Sequence, residues 1–361
     1  MKVLIDINHP AHVHYFRNFA KIMMNKGHKI LFTSRNKEIE HYLLKFYNLE
    51  YIDRGKGKNS IIGKLLYMFR ADKILLDVSR SFKPDLLLSF GSIYAAQVSK
   101  IINKPHIAFD DTEHSKYQNF LYSIFSNVIL SPSCFIGNIN KRQLFFDSYM
   151  ELCYLHPNYF KPDKSILKYL GVKENEKYVI FRFVAWNAAH DIGHTGLSLD
   201  IKRKAVKELS KYATVFISSE KELPNELKKY QIKIPPEKMH DALAFSTLLY
   251  GESSTMASEC ACLGVSSIYH DNDGRGYTDE EESKYHLVYN YSESRKDQEL
   301  ALKKAIELVQ YTKLQQENQI KHSKLITDKI DVTEFMVWFI ENYPQSAKIM
   351  KENPDYQNRF K

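Results

Sequence analysis

The chain has 361 residues, 44% of them hydrophobic, and a formal charge of +8 from 51 basic and 43 acidic side chains. That length exceeds what one hydrophobic core usually serves, so two domains of roughly 150 to 180 residues are expected, and the apolar content excludes a disordered tail. The charge suits an anionic ligand, a phosphorylated lipid or an acidic membrane surface equally well, so by itself it selects none.

Met1-Lys-Val-Leu-Ile-Asp6 opens as an apolar strand too short for a signal peptide, and no window of 18 uncharged apolar residues follows. A cytoplasmic chain that spans no membrane is expected. Short apolar runs alternate with stretches of helical period, the pattern of parallel sheets wrapped by helices. In the first half, strands are predicted near 2–7, 29–34, 49–53, 85–90, 106–110 and 127–131. Between the first two, Val13, Phe16, Ala20 and Met23 recur as the buried stripe of a helix that Gly27 ends.

After His156-Pro157-Asn158-Tyr159 the pattern restarts, with strands at 178–184, 214–218, 247–250 and 265–269 and helices near 198–211, 237–246 and 254–263. The polar stretch 159–175, holding Pro162 and Gly171, reads as a connector. The last 70 residues are helical, with Ala301, Ile306, Leu308 and Val309 in one run and Phe335, Val337, Trp338 and Ile340 in another. This is an α/β chain with two doubly wound sheets, which bind ligands at loops after strands, in a cleft facing the carboxyl ends. The four cysteines form no Cys-x-x-Cys pair and read as small buried hydrophobes.

The most informative segment is Leu248-Leu-Tyr-Gly251-Glu-Ser-Ser-Thr-Met-Ala-Ser-Glu259, a strand running through a glycine into a helix. Amides and hydroxyls of Ser253, Ser254 and Thr255 at that helix N-terminus suit a diphosphate, and Glu259, one turn on, suits a ribose diol. The same residues would also serve as an ordinary N-cap. Asp6-Ile-Asn-His9-Pro10-Ala-His12-Val-His14 follows the first strand, and its three histidines suit a general base or contacts to a sugar or an acceptor. Zinc is the competing reading, and no carboxylate or cysteine set accompanies them.

Phe109-Asp110-Asp111-Thr112-Glu113-His114 puts ionisable groups after another strand, where Glu113 or Asp111 could take a proton from an attacking hydroxyl. A helix N-cap would use the same residues. Gly91 and Ser92 end a strand and offer close backbone approach or simply a turn. In the second half Arg182, within Phe181-Arg182-Phe-Val-Ala-Trp186-Asn187-Ala-Ala-His190-Asp191, is suited to neutralise a phosphate or to form a surface ion pair, and Ser218 ends the next strand. Arg54-Gly-Lys-Gly-Lys58 followed by an apolar run to Arg70 is a candidate contact for an anionic membrane, or a solvated loop before a packed helix.

Together with Ser131-Pro-Ser-Cys134, Tyr154-Leu-His-Pro-Asn158 and Pro235-Pro-Glu-Lys-Met-His-Asp241, these segments resemble domain-of-unknown-function family 354 over roughly residues 1–330. That family is similar to the GT-B superfamily, which includes MurG-type N-acetylglucosaminyltransferases and non-hydrolysing UDP-N-acetylglucosamine 2-epimerases. The resemblance implies two Rossmann-like domains, 1–157 for acceptor and catalysis and 158–330 for the nucleotide sugar, with 331–361 packing back on the first. It implies UDP diphosphate at Gly251 to Thr255 and ribose at Glu259. The epimerases' His-Val-Glu-Ala-Gly segment is matched only loosely by Asp111-Thr112-Glu113-His114.

The leading expectation is a metal-independent glycosyltransferase that uses a nucleotide diphosphate sugar, needs no cofactor and binds no nucleic acid. Its acceptor would be a cell-envelope glycan or a lipid-linked sugar, reached from the cytoplasm with peripheral contact to the inner membrane face. Glu113 or His14 would act as base, expected close together across the edge where loops after the first and fifth strands collect. A 2-epimerase is the alternative enzyme, and a non-catalytic sugar-nucleotide-binding protein is the alternative from another class.

Overall fold

The computed structural model describes residues 1–37, 39–57, 61–184 and 196–361, which divide into two compact units, Met1–Tyr154 with Lys329–Lys361, and Leu155–Asp328. In the first unit, strands β1 (Lys2–Ile7), β2 (Lys29–Ser34), β3 (Tyr51–Asp53), β4 (Leu86–Phe90), β5 (His106–Phe109), β6 (Val128–Pro132) and β7 (Gln143–Phe146) form one sheet. Their order is β3-β2-β1-β4-β5-β6-β7, and every pairing is parallel. Helices α1 (Pro10–Asn25), α2 (Glu40–Phe46), α3 (Ile61–Phe82), α4 (Ile93–Ile101) and α5 (Lys116–Ser123) make the crossovers, and α6 (Leu152–Leu155) follows β7.

The central strands are buried on both faces, all five residues of β4 and Val3 to Ile7 of β1, and are apolar apart from Asp6 and Ser89 near their carboxyl ends. Helix α1 starts where His9 leaves extended backbone and its Nδ1 accepts from Ala11 N at 3.2 Å, with Pro10 preset for the first turn. The strand order reverses between β1 and β4, so the loops after those strands part and leave a crevice at the carboxyl edge.

The second unit repeats the plan with β8 (Tyr178–Phe183), β9 (Thr214–Ser219), β10 (Leu248–Gly251), β11 (Ser266–His270) and β12 (Val288–Tyr291), all parallel in the order β12-β11-β10-β8-β9. Its helices are α7 (Ile166–Leu170), α8 (Leu199–Leu209), α9 (Met239–Ala244), α10 (Ser254–Cys262), α11 (Gly276–Ser283), α12 (Arg295–Gln310) and α13 (Leu314–Asp328). Here the order reverses between β8 and β10.

Helices α14 (Val332–Glu341) and α15 (Gln345–Glu352) belong to the first unit. Asp331 caps α14, Phe335 packs against Phe146 at 6.0 Å, and Glu341 is held by Lys26 at 2.6 Å and His28 at 3.0 Å at the far end of α1. The chain thus returns to the sheet where it began.

Several elements exceed the sequence reading, among them α2, α6 and α11, two edge strands and a helix in the connector. Strands β7 and β12 are short edge strands of four residues carrying polar positions, too weak a signal to separate from loop. Within the expected connector 159–175, Ile166–Leu170 closes one short helix that Gly171 ends at φ 68°.

Candidate functional site

At the carboxyl edge of the first sheet, Asp6 is a buried hub. Its carboxylate accepts from Thr33 Oγ1 at 2.6 Å and from the hydroxyl of Ser92, and Arg54 Nε lies 2.9 Å away. Arg54, wholly buried, continues to Ile7 O at 2.9 Å and Asn8 Oδ1 at 2.6 Å, fixing the turn that presents His9. The structure thus corrects the reading of Arg54 as a membrane-facing cation: its charge is spent inside the sheet edge. Lys58 and the side chain of Lys64 lie outside the described residues, and Leu66 and Phe69 of α3 are exposed.

His9 is exposed at the cap of α1. His12 rests on Phe90 with ring centres 4.7 Å apart, its Nδ1 facing Asn8 N at 3.3 Å, and burial pushes its pKa well below the ordinary value. It therefore stays neutral at physiological pH. His14 points into protein, 3.1 Å from Arg17 and packed against Tyr47 and Tyr154. Ser92 caps α4 as well as binding Asp6. Gly91 adopts φ 53°, and a Cβ there would come within 3.2 Å of Asp110 Oδ2, so the glycine serves the turn and its packing.

The loop after β5 concentrates carboxyl groups. Asp110 accepts from Tyr122 Oη at 2.5 Å and Thr112 N at 2.7 Å, yet burial pushes its pKa up to about 6. Asp111 is held well above the carboxylate range by burial first, then by the charges of Glu151, Asp110 and Glu113. Burial and the neighbouring carboxylates thus both favour the protonated form of Asp111. Glu113 Oε1 accepts from Ile136 N at 3.2 Å. Glu151, buried beyond β7 and 3.4 Å from Tyr15 Oη, was invisible in sequence, because its strand was not recognised and only the shared sheet edge brings it to Asp111.

The second sheet carries a different set. Gly251 faces β8 so closely that a Cβ would stand 2.3 Å from Arg182 O, so this glycine is required by its neighbour strand. Ser253 caps α10, its hydroxyl accepting from Met256 N at 3.3 Å, and Ser254 bonds Tyr269. Ser253, Ser254 and Thr255 are all half-buried. Glu259 lies inside, 3.0 Å from His240 Nε2, instead of on an open helix face.

Arg182 Nη1 donates to Ser218 Oγ at 3.0 Å and Nη2 pairs with Glu220, while its buried Nε has no partner among the described residues. Trp186, Asn187, His190 and Asp191 of the same segment lie outside the described residues. Just before them Val184 N, and beyond them Leu197 N, donate to one buried carboxylate, Glu252, at 2.9 and 2.5 Å. Arg275, beyond β11 and 3.0 Å from Asp271, is a further cation at this edge, which the sequence reading passed over by stopping at Tyr269. Among the described residues, no group of three or more His, Cys, Asp or Glu side chains is placed to hold a metal ion, and no helix is long and apolar enough to cross a membrane.

The family model for proteins of unknown function named DUF354 matches residues 1–330. The chain belongs to the DUF354 family. An uncharacterised protein of Methanocaldococcus jannaschii is 26% identical over 294 residues, which is 74% of this chain and 81% of that protein.

Among solved structures, this DUF354 chain is similar to a Listeria monocytogenes protein described as a candidate UDP-N-acetylglucosamine 2-epimerase (TM-score 0.65, 13% identity, 91% of each chain). It is also similar to the glycosyltransferase VinC, solved with dTDP (TM-score 0.62, 11% identity, 96% of this chain and 100% of VinC). MurG of Acinetobacter baumannii gives a TM-score of 0.60 at 12% identity, over 94% of this chain and 99% of MurG. The fold is therefore GT-B, two Rossmann-like domains with parallel sheets.

Proposed function

We propose that this DUF354 protein transfers a sugar from a nucleotide diphosphate donor, in the UDP or dTDP class, to a hydroxyl of a cell-envelope glycan or lipid-linked acceptor at the inner membrane face. The observation that carries the proposal is the second sheet edge. There the half-buried hydroxyl N-terminus of α10 lies at the strand-order reversal, and the neighbouring β8 presents an arginine with one buried N–H that has no partner among the described residues. Unpaired helix amides, hydroxyls and a guanidinium are what a departing diphosphate requires.

In this reading the acceptor oxygen bonds to the anomeric carbon as the bond from that carbon to the diphosphate oxygen breaks, and Glu113 takes the acceptor proton. His9 and His12 contact acceptor or sugar, and no bound metal is required for the leaving group. Ser218 and Arg182 hold the diphosphate from β8 and β9, and Glu259 reaches the ribose once its bond to His240 is exchanged.

The test has two parts. UDP-sugars and dTDP-sugars should raise the thermal midpoint, and Glu113→Gln should lower turnover with acceptor by about 10²- to 10⁴-fold while leaving donor affinity within about twofold. If no sugar nucleotide shifts the midpoint, the proposal fails at the donor site. If the Gln variant turns over normally, the base is elsewhere.

A second reading, 2-epimerisation, is favoured by one feature: burial raises the pKa of Asp110 to about 6 and pushes that of Asp111 up as well, the direction that acids reprotonating a sugar carbon require. Formation of an epimer from UDP-N-acetylglucosamine without acceptor would establish it. Binding without either reaction would leave a sugar-nucleotide-binding protein.

A further inference from the structure

We propose that helix α5 is a docking face for an anionic lipid bilayer, a role that stands independently of the transferase reading. A surface helix of a folded domain normally turns its apolar stripe inward. In α5 the polarity is reversed. The residues turned into protein are Asn119, Tyr122 and Ser123, and each has its polar atom occupied: Asn119 Nδ2 donates to Thr112 O at 3.0 Å, Tyr122 Oη to Asp110 at 2.5 Å, and Ser123 Oγ to Phe120 O at 3.1 Å.

The opposite face carries Tyr117, 78% exposed, Phe120, 62% exposed, and Ile124 one residue beyond the helix, 43% exposed. Spacings of three and four put these on one stripe. Ile136, 60% exposed in the loop after β6, is tied to the loop after β5 by the hydrogen bond its backbone N–H donates to Glu113 Oε1.

The helix is fixed while this face stays uncovered. Arg142 Nη1 donates to the carbonyl oxygens of Ser123, Ile124 and Ser126 at 3.1, 3.0 and 3.0 Å, satisfying the groups that a helix C-terminus leaves open. Three large apolar side chains held out by an ordered, capped helix gain nothing for the fold of the first unit. They gain free energy only by entering an apolar phase.

Charge identifies that phase. From 114 to 146 the sequence holds no Asp or Glu, and the exposed charged residues there, Lys116, Lys141 and Arg142, are all basic. Apolar side chains with cations as the charged residues of their own segment, the carboxylate of Glu113 being engaged by Ile136 N, match a bilayer surface that presents anionic headgroups over hydrocarbon. Arg54, whose guanidinium is sealed inside the sheet edge, adds no cation to this contact. Docking through α5 would set the loop that carries Asp111 and Glu113 next to the membrane surface.

The experiment is co-sedimentation of the full chain with phosphatidylcholine vesicles made with and without phosphatidylglycerol. The wild type should bind only the anionic vesicles, and less as salt is raised. Combining Tyr117→Ser, Phe120→Ser and Ile124→Ser should lower the bound fraction by about tenfold, as should Lys116→Glu with Lys141→Glu, with the thermal midpoint unchanged because the substituted side chains are exposed.

Equal binding to neutral vesicles, or a serine variant that binds as the wild type does, would overturn the proposal. So would a wild-type dimer in sedimentation that the serine variant dissolves, since the face would then belong to a second copy of the chain.

Discussion

The two sheet edges each carry an arginine paired with a carboxylate, and the pairs differ in almost every physical respect. Arg54 and Asp6 are both buried, and between them they join β1, β2, the cap of α4 and the turn before α1. Arg182 and Glu220 are 21% and 36% exposed and join the ends of two neighbouring strands, and among the described residues the guanidinium Nε has no hydrogen-bond partner. The first pair is architecture, and the second, half-exposed, holds the arginine that the proposed reading gives to the diphosphate. The rest of each edge follows suit: the first accumulates carboxyls and imidazoles whose charges burial suppresses, which suits proton transfer, and the second accumulates hydroxyls, helix amides and cations, which suits an anion.

The comparison breaks most visibly at Arg54. Arg54→Met should cost about 3–5 kcal/mol in urea unfolding, because it leaves Asp6 buried with its charge uncompensated. A loss below about 1 kcal/mol would mean that Asp6 finds water or another partner, and the hub would not be structural.

Gly251→Ala tests the opposite edge. The added methyl meets the Arg182 backbone, so about 1–3 kcal/mol of stability should be lost. Should the variant be as stable as wild type yet bind sugar nucleotides poorly, the glycine would serve the ligand and not β8.

The burial that suppresses charge at the first edge also has a pH signature. Glu40, whose carboxylate accepts from Ser34 Oγ at 2.8 Å, has its pKa raised by burial from 4.5 to about 7. A carboxyl with a raised folded pKa binds more protons folded than unfolded, so its contribution is full below about pH 4.5 and is lost as pH rises through about 7. Glu40→Gln should therefore be more stable than wild type at pH 8, by on the order of 1 kcal/mol, with the difference vanishing near pH 4. A pH-independent difference in chemical unfolding would show that the carboxyl is not the titrating group.

The smallest effect on stability is expected at Arg182. Arg182→Ala should change it by less than about 1 kcal/mol, as for other half-exposed pairs, while weakening sugar-nucleotide binding in calorimetry by about tenfold. If affinity is unchanged and stability falls, Arg182 is a structural ion pair like Arg54.

Most of the architecture was legible because it rests on local periodicity. Strands β1, β2, β4 and β8 are apolar runs buried on both faces and lie within a residue of where the runs predict them, and the second start of the pattern announced the second unit. The hydroxyl-rich turn into α10 and the acidic loop after β5 were legible too, since a helix start and a strand end are marked by neighbouring residues.

What the sequence could not determine is which of those polar groups remain available. Arg54 and Arg182 both follow or end strands and look alike in a chain of letters. Only the packing of β1, β2, α3 and α4 around one, and the position of the other beside the edge strand β9, separates a buried strut from a half-exposed pair. The same holds for Glu151 meeting Asp111, for Glu259 meeting His240, and for the outward apolar face of α5. Each joins or exposes residues according to what lies across a sheet edge or behind a helix, and that is settled by tertiary packing, on which local periodicity carries no information.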